Sequence, residues 1–248
     1  MDTDERRAFW QKVKLRPFML FVTLSGLVGL LLLTLNPVHS MGFNLIHLGL
    51  ALAAWSGATI LGWKWNGLRM VMLGVPLLLM VLFLLPGKEI EVGELRDDYV
   101  KRMADFEGTQ YSWGGESARG IDCSGLPRRA YRDALLSYGA RHLSGSALRA
   151  WAEQWWFDAS AKALGEGYRD YTELVGVEGT IREMNYERLM PGDLAVTNGG
   201  AHILAYAGDG KWIQADPGIG SVATLDGRKD KNGWFTVPVT THRWSLLP

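Results

Sequence analysis

The sequence predicts an α+β domain that follows a membrane anchor of three helices. Three observations support this prediction: nearly every long apolar run lies before residue 88, helical spacing prevails between residues 94 and 164, and short strand patterns follow residue 193. Helices followed by a separate antiparallel sheet are typical of the α+β class. We therefore divide the chain of 248 residues into an anchor at 1–88 and a domain at 89–248.

The anchor has three candidate membrane-spanning segments, at about 17–35, 43–63 and 69–86. The runs Pro17–Leu35 and Phe43–Trp63 contain 19 and 21 residues without a charge. A membrane-spanning helix needs about 20 apolar residues. The third run, Met70–Leu85, has only 16 residues. However, Arg69 and Lys88 beside it can extend their charged ends to the membrane surfaces.

The distribution of basic residues predicts the orientation of the anchor. The loop at 36–42 has no lysine or arginine, whereas five precede the first segment: Arg6, Arg7, Lys12, Lys14 and Arg16. Because basic flanks stay in the cytoplasm, the N-terminus is expected there. Three crossings then place the domain on the periplasmic or extracellular side of the inner membrane. Asn36–Met41 is not a small-residue cleavage site, so we expect the first segment to be retained.

Small residues in the first two segments permit close helix packing. They are Gly26, Gly29, Gly49, Ala53 and Gly57. They are compatible with a compact three-helix bundle, with a homo-oligomer, or with a membrane protein partner. The lipid bilayer is the predicted partner of all three segments.

Composition excludes some classes of function. The 26 basic residues balance the 26 acidic ones, so the formal net charge is zero and a nucleic-acid binder is not expected. The single cysteine, Cys123, excludes an intramolecular disulfide framework and a zinc site of several cysteines. A lone cysteine is either a small core residue or a nucleophile.

The domain begins with three predicted helices, at Glu94–Phe106, Leu126–Ser137 and Ser146–Leu164. Cys123 lies at the N-terminus of the second helix, and Pro127 lies in its first turn, where proline is tolerated. The third belongs to a Trp-rich helical insertion at about 140–188, which contains Trp151, Trp155 and Trp156. The polar C-terminal part of this insertion has no clear secondary-structure pattern. We interpret this insertion as packed on the domain core. The alternatives are that it caps a cleft, contacts the membrane surface or binds a partner.

Six short strand patterns follow, separated by glycine-containing turns. They are Leu194–Thr197, His202–Ala207, Lys211–Ala215, Gly220–Leu225, Trp234–Val239 and a terminal run to Trp244. These strands supply the predicted antiparallel sheet.

The position of Cys123 favours a reactive thiol. The N–H groups and the dipole at a helix N-terminus lower a thiol pKa, and the same N–H groups can stabilise an oxyanion. Among the histidines of the domain, His202 follows a glycine turn and alternates with Ile203, so it can face a cleft. We interpret His142 and His242 as solvated or locally bonded. The residues alone leave both an enzyme and a structural cysteine open.

Four short sequences occur in order over about residues 95–248. They are Tyr111-x-Trp-Gly-Gly, Asp122-Cys123-Ser124-Gly125-Leu126, Pro191-Gly192-Asp193-Leu194, and His202 on a strand that ends at Gly208. Together they resemble the NlpC-type cysteine peptidases, which are papain-like enzymes that cut the stem peptides of bacterial cell walls. The resemblance implies a papain-like catalytic domain that needs no metal or cofactor.

The resemblance also implies roles for individual residues. Cys123 would be the nucleophile and His202 the base. Gln214, twelve residues after His202, would orient the histidine, and Tyr111, twelve residues before Cys123, would help to bind the oxyanion. Many family members have a histidine where this chain has Gln214, so Asp216 stays an alternative orienting residue.

Three further residues are candidates for contact with the stem peptide. The resemblance places Asp122 and Ser124 in the wall that binds it, although Asp122 can also cap the helix after Cys123. Trp113 is predicted either to line the cleft or to pack under the glycine turn.

The resulting hypothesis is a membrane-anchored cysteine endopeptidase that hydrolyses amide bonds in peptidoglycan stem peptides. Two alternatives remain open. One is a papain-like amidase or acyltransferase that acts on another substrate such as a lipid, and the other is a non-enzymatic binding module of a membrane complex. Catalytic residues alone do not separate hydrolysis from acyl transfer, because both pass through the same acyl-enzyme.

Overall fold

The computed structural model describes residues 3–248, with side chains from Leu15 onward. The chain forms two compact units. One consists of three long helices, and the other consists of Pro37–Ser40 together with Leu85–Pro248. The long helices are α1 (Thr3–Leu35), α2 (Met41–Gly62) and α3 (Asn66–Leu84). The side chains of Arg6, Arg7, Lys12 and Lys14, on which the predicted orientation partly rests, lie outside the described residues.

The three helices are long and apolar enough to cross a membrane. The candidate spans Leu15–Leu35, Met41–Gly62 and Asn66–Leu84 have mean hydropathies of 2.4, 1.6 and 2.3. Glycines bring α1 and α2 close together, since a methyl group added at Gly57 would overlap the hydroxyl of Thr23. Close approach of this kind is what small residues in membrane helices allow.

The second unit contains four helices and eight strands. The helices are α4 (Val92–Ala104), α5 (Gly125–His142), α6 (Gly145–Trp156) and α7 (Ala161–Gly165). The strands are β1 (Glu116–Ser117), β2 (Gly120–Ile121), β3 (Thr172–Thr180), β4 (Leu194–Thr197), β5 (Ile203–Gly208), β6 (Lys211–Asp216), β7 (Ser221–Asp226) and β8 (Pro238–Trp244). The α+β class predicted from the sequence is therefore confirmed.

Six of these strands form one antiparallel sheet in the order β3-β8-β4-β5-β6-β7. The helices cover one face, where side chains such as Tyr99 of α4 and Leu126 of α5 pack with Leu194 and Ile213 of the sheet. A second apolar cluster covers the other face around Trp212 and includes Ile181, Met184 and Phe235. The central strands β4, β5 and β6 are thus largely buried on both faces, and this packing gives a rigid support to the ends of β5 and β6.

Two predicted elements are wrong. The helix expected at Ser146–Leu164 is interrupted after Trp156, because Ser160 caps a separate helix, α7, by accepting a hydrogen bond from the N–H of Ala163. The strand expected at Trp234–Val239 is instead a 3₁₀ turn at Gly233–Thr236 followed by β8. In addition, the stretch that stayed unassigned contains β3, so the region at 140–188 is not entirely helical.

The insertion packs on the core, as the sequence interpretation expected. Ala147 and Leu148 of α6 are buried, and Trp151 lies against the main apolar cluster. Trp155 points elsewhere, because its indole ring meets the imidazole of His39 edge-on with 6.3 Å between the ring centroids.

The short segment Pro37–Ser40 belongs to the second unit although it connects α1 to α2. Val38 forms an antiparallel bridge with Gly115. The N–H of His39 donates to the carbonyl of Gly114 at 2.9 Å, and the N–H of Glu116 donates to the carbonyl of Pro37 at 2.8 Å. The segment thereby adds a third strand-like edge beside the hairpin of β1 and β2.

Candidate active site

Cys123 lies in the turn that leads into α5. Asp122 holds this turn, since its Oδ1 accepts hydrogen bonds from the N–H of Gly125 at 2.6 Å and from the hydroxyl of Ser124 at 3.0 Å. Its Oδ2 accepts from the N–H of Gly114 at 2.8 Å. The carboxylate therefore caps the N-terminus of α5, as the sequence suggested.

The glycine that follows this turn is required by close packing. A methyl group added at Gly125 would overlap the carbonyl oxygen of Gly115. The same carbonyl accepts a hydrogen bond from the N–H of Asp122 at 3.0 Å. The two backbone segments therefore lie too close for any larger residue at position 125.

The thiol of Cys123 is protonated in the resting structure. Burial, together with the nearby carboxylate of Asp122, raises its pKa to about 11. The backbone N–H groups of Ile203, Ser124 and Cys123 itself act in the opposite direction but do not outweigh burial. The sequence argument from the helix N-terminus expected a lowered pKa, and that expectation is corrected here because desolvation disfavours the charged thiolate.

His202 precedes β5 directly and is buried. Its Nε2 donates a hydrogen bond to Oε1 of Gln214 in β6 at 2.6 Å. Since the N–H of the next residue, Ile203, reaches the thiol of Cys123, the beginning of β5 faces the sulfur. Burial lowers the pKa of His202, although the bond to Gln214 acts against this shift. The imidazole is therefore uncharged at neutral pH and able to accept a proton.

Trp234 covers one face of the imidazole of His202. The two rings are stacked with centroids 4.2 Å apart and planes inclined by 16°. Sequence analysis missed this contact because Trp234 was assigned to a strand. In the structure it lies in the 3₁₀ turn, and a strand-like residue pattern gave no signal for that geometry.

Asp216, the alternative orienting residue, has other partners. Its Oδ2 accepts a hydrogen bond from the side-chain amide of Asn232 at 2.6 Å, and its Oδ1 accepts from the N–H of Gly218 at 2.7 Å. Asp216 also lines a surface cavity of about 500 Å³ together with Trp234 and Lys231. The hydrogen bond to the imidazole is made by Gln214.

The remaining candidates differ in exposure. Tyr111 is half-buried and pairs with Ile121 in a short parallel bridge. Burial, followed by the interaction with Cys123, raises the pKa of its hydroxyl to about 12, so the phenol keeps its proton. Ser124 is buried and directed at Asp122. Trp113 is 83% exposed, which excludes packing under the glycine turn and leaves its indole accessible to a ligand.

The other two histidines of the domain have local partners. Nε2 of His142 lies 3.0 Å from Oε1 of Glu94, on the exposed end of α5. Nε2 of His242 in β8 is hydrogen-bonded to the hydroxyl of Thr240 at 2.9 Å. Their surroundings match the expectation of locally bonded histidines.

A cluster of charged side chains surrounds Arg128 and Arg132 of α5, and in it Glu116 is buried, His39 half-buried and Asp158 exposed. His39, Glu116 and Asp158 bring possible metal-ligating atoms within 4.8 Å of one another. However, Arg128 pairs with both carboxylates, and Arg132 pairs with Glu116 at 2.5 Å. Two guanidinium groups repel a cation, so we interpret the cluster as a buried ion-pair network. Sequence reasoning missed it because the residues come from four distant parts of the chain.

The comparison with protein families gives one match. The NlpC/P60 family model matches residues 108–236, which is more than half of the chain. The matched region contains Cys123, His202, Gln214 and Tyr111. No curated protein sequence matches the chain.

Solved structures with a similar fold are distant in sequence. NlpC1 from Trichomonas vaginalis is 18% identical with a TM-score of 0.40, and the match covers 60% of this chain and 43% of that protein. The P60 domain of antigen MAP1204 from M. avium subspecies paratuberculosis is 19% identical with a TM-score of 0.37, covering 61% and 96%. The peptidoglycan hydrolase RipB from Mycobacterium tuberculosis is 21% identical with a TM-score of 0.36, covering 60% and 65%. The chain thus spans less than half of NlpC1.

Proposed function

Because the chain belongs to the NlpC/P60 family, we propose that it is a membrane-anchored cysteine endopeptidase that hydrolyses amide bonds in peptidoglycan stem peptides. The observation that carries this proposal is the arrangement around Cys123. A buried, uncharged histidine, His202, is held by the amide oxygen of Gln214, and the backbone N–H of the next residue, Ile203, is directed at the thiol. A nucleophile, a base and a residue that orients the base are the parts that thiol-dependent acyl transfer needs.

The mechanism begins with proton transfer from the thiol of Cys123 to the imidazole of His202. The thiolate attacks the carbonyl carbon of the substrate amide, and the oxyanion accepts hydrogen bonds from the N–H of Cys123 and the hydroxyl of Tyr111. One such donor contributes about 3 kcal/mol in comparable sites. The imidazolium then protonates the leaving amine as the carbon–nitrogen bond breaks. Finally, water deprotonated by His202 attacks the thioester, releases the carboxylic acid and restores the thiol.

Gln214 and Trp234 keep the imidazole in position for both proton transfers. The amide oxygen of Gln214 accepts a hydrogen bond from the Nε2–H group of His202. The other ring nitrogen, Nδ1, is therefore the one that exchanges a proton with the thiol. The indole of Trp234 stacks on the ring and excludes water from one side of it. It also provides a π face that stabilises the imidazolium once it forms.

Substrate contacts are proposed for the exposed side of the site. The indole of Trp113 is accessible and follows Tyr111 closely in the chain, so it can contact the stem peptide. The carboxylate of Asp122 and the hydroxyl of Ser124 are engaged with each other, and a role in substrate binding would add to their capping role.

The proposed location is the outer side of the inner membrane. Pro37–Ser40 pairs with residues 114–116, so the loop after α1 and the domain lie on the same side of the bilayer. The chain between them contains α2 and α3, which must therefore cross the membrane an even number of times. With α1 as a further crossing and a basic N-terminus in the cytoplasm, the domain faces the cell wall.

Incubation of the full chain in detergent micelles with a panel of substrates tests this function. The panel contains purified sacculi, soluble muropeptides and phospholipids, and the products are identified by mass spectrometry. We expect a new amine and a new carboxylate within the stem peptide, which also identifies the bond. Products from phospholipid alone would favour the alternative acyl chemistry, and no product from any substrate would favour a binding module.

A further inference from the structure

The segment between the first two membrane helices is bonded to the backbone that supports the nucleophile. On one side, residues 114–116 bond to Pro37 and His39 through two backbone hydrogen bonds of 2.8 and 2.9 Å. On the other side, Gly114 and Gly115 bond to Asp122. Residues 114–116 therefore connect the segment Pro37–Ser40 to the turn that contains Cys123.

A second connection runs through side chains. Nδ1 of His39 lies 3.3 Å from Oε2 of Glu116, and these side chains are only 16% and 1% exposed. Glu116 in turn pairs at 2.5 Å with both Arg128 and Arg132 of α5, the helix that begins directly after the nucleophile turn. The edge of the indole of Trp155 closes this cluster beside His39.

The imidazole of His39 is uncharged at neutral pH. Burial lowers its pKa to about 4, with the guanidinium groups of Arg132 and Arg128 acting in the same direction and Glu116 acting against it. The neutral Nδ1 faces the carboxylate of Glu116 at 3.3 Å, a distance of contact rather than of a formed hydrogen bond, and adds no third positive charge to the cluster. The imidazole of His39 is thus suited to complete the set of side chains that surround the carboxylate of Glu116.

On the basis of the proposed function, we propose that Pro37–Ser40 positions the nucleophile turn, with His39 as the positioning residue. The segment directly follows α1 and directly precedes α2 in the chain, so the hydrolase site contains a part supplied by the membrane anchor. Activity then depends on the anchor for geometry as well as for location. A fragment that begins at Glu89 lacks this part, so the test uses the full chain.

The test compares three variants of the full chain in detergent micelles. His39→Leu keeps the buried volume but removes the nitrogen, and His39→Asn keeps a nitrogen donor near the position of Nδ1. His142→Ala is the matched control, since His142 also lies next to a glutamate but at the opposite end of α5. The readouts are kcat and KM on muropeptides and the pH profile of alkylation by iodoacetamide. Cys123 is the only cysteine in the chain, so the label is unambiguous.

We expect His39→Leu to lower kcat by about 10- to 100-fold with little change in KM, as a displaced catalytic group does. We also expect it to shift the alkylation profile, whereas His39→Asn restores both and His142→Ala changes neither. If His39→Leu does not fold, His39→Ala replaces it with the same expectation.

Unchanged kcat and an unchanged alkylation profile in a folded His39→Leu protein would overturn the inference. So would a loss that His39→Asn does not restore. The alkylation profile is independent of the substrate. If the wild type cleaves no stem peptide but the profile still shifts in His39→Leu, the positioning role is supported and the proposed function has failed.

Discussion

Replacing His202 by alanine is expected to lower kcat/KM for stem-peptide hydrolysis by about 10²- to 10⁴-fold. The thiol of Cys123 has a pKa raised to about 11, so almost none of it is ionised at neutral pH without a base. In the mechanism we propose, the imidazole both removes the thiol proton and protonates the leaving amine. Steady-state kinetics on purified muropeptides measure the loss.

The pH dependence of the wild type has a definite sign. Burial lowers the pKa of His202 below 6.5, so kcat/KM is expected to fall only as the pH drops through that lowered pKa. His202→Ala should lose this acid limb together with its activity. The result that would contradict the assignment is a His202→Ala protein that keeps at least a tenth of the wild-type rate.

The neighbours of His202 provide matched controls for this experiment. Gln214→Leu removes the oxygen that holds the imidazole at 2.6 Å and should give a smaller but clear loss. The side chain of Asp216 bonds to Asn232 and Gly218 and not to the imidazole. Asp216→Asn keeps the size of this side chain and should lower the rate less than Gln214→Leu does. The reverse order would make Asp216 the orienting residue.

Replacing Glu116 by glutamine is expected to destabilise the domain by about 3–5 kcal/mol, because it removes the shared counter-charge of two buried guanidinium groups, of which Arg128 keeps only Asp158 as a charged partner. Glu116 is 2% exposed and pairs with Arg128 and Arg132 at 2.5 Å. Burial alone would raise the pKa of this carboxyl, but the two guanidinium groups outweigh it and lower the pKa. The free energy of unfolding, measured by pulse proteolysis in micelles, should show the loss.

Asp133→Asn is the matched control for this measurement. It breaks the pair between Arg129 and Asp133, which lies on the same helix but is partly exposed to solvent, with side-chain exposures of 38% and 27%. An exposed pair contributes at most about 1 kcal/mol. If Glu116→Gln destabilises the protein no more than Asp133→Asn, the buried network has no special role in stability.

Much of the fold is predictable from local sequence patterns. In the strands β4 to β7, apolar residues either alternate with polar ones or follow one another without a break, and glycine-containing turns separate the strands. Gly199 and Gly208 in those turns have positive φ angles, which glycine adopts readily. The long apolar runs were equally direct evidence for α1, α2 and α3. Patterns of this kind depend on neighbours in the chain, so a sequence alone reveals them.

The missed elements depend on contacts that are distant in sequence. β3 is an edge strand with mostly exposed residues and positive φ angles at Gly176 and Gly179, so it has no apolar alternation. The break before α7 and the turn around Trp234 are likewise fixed by caps rather than by periodicity.

For the candidate site, the ordered motifs located Cys123, His202 and Gln214, and the structure brings the last two into direct contact. The argument from the helix N-terminus predicted a lowered thiol pKa, whereas burial raises it, because a sequence reveals a helix N-terminus but not the extent of burial. The support from Pro37–Ser40 was also missed, since no local signal connects His39 to Glu116, 77 positions later in the chain.

The most direct test of the central claim compares the full-length wild type with Cys123→Ala on soluble muropeptides, with products identified by mass spectrometry. The whole chain is used because residues 37–40 form part of the domain. We predict a cleaved stem bond with the wild type and none with Cys123→Ala. Equal cleavage by both proteins, or intact muropeptides with both, would contradict the assignment of Cys123 as the nucleophile of a stem-peptide hydrolase.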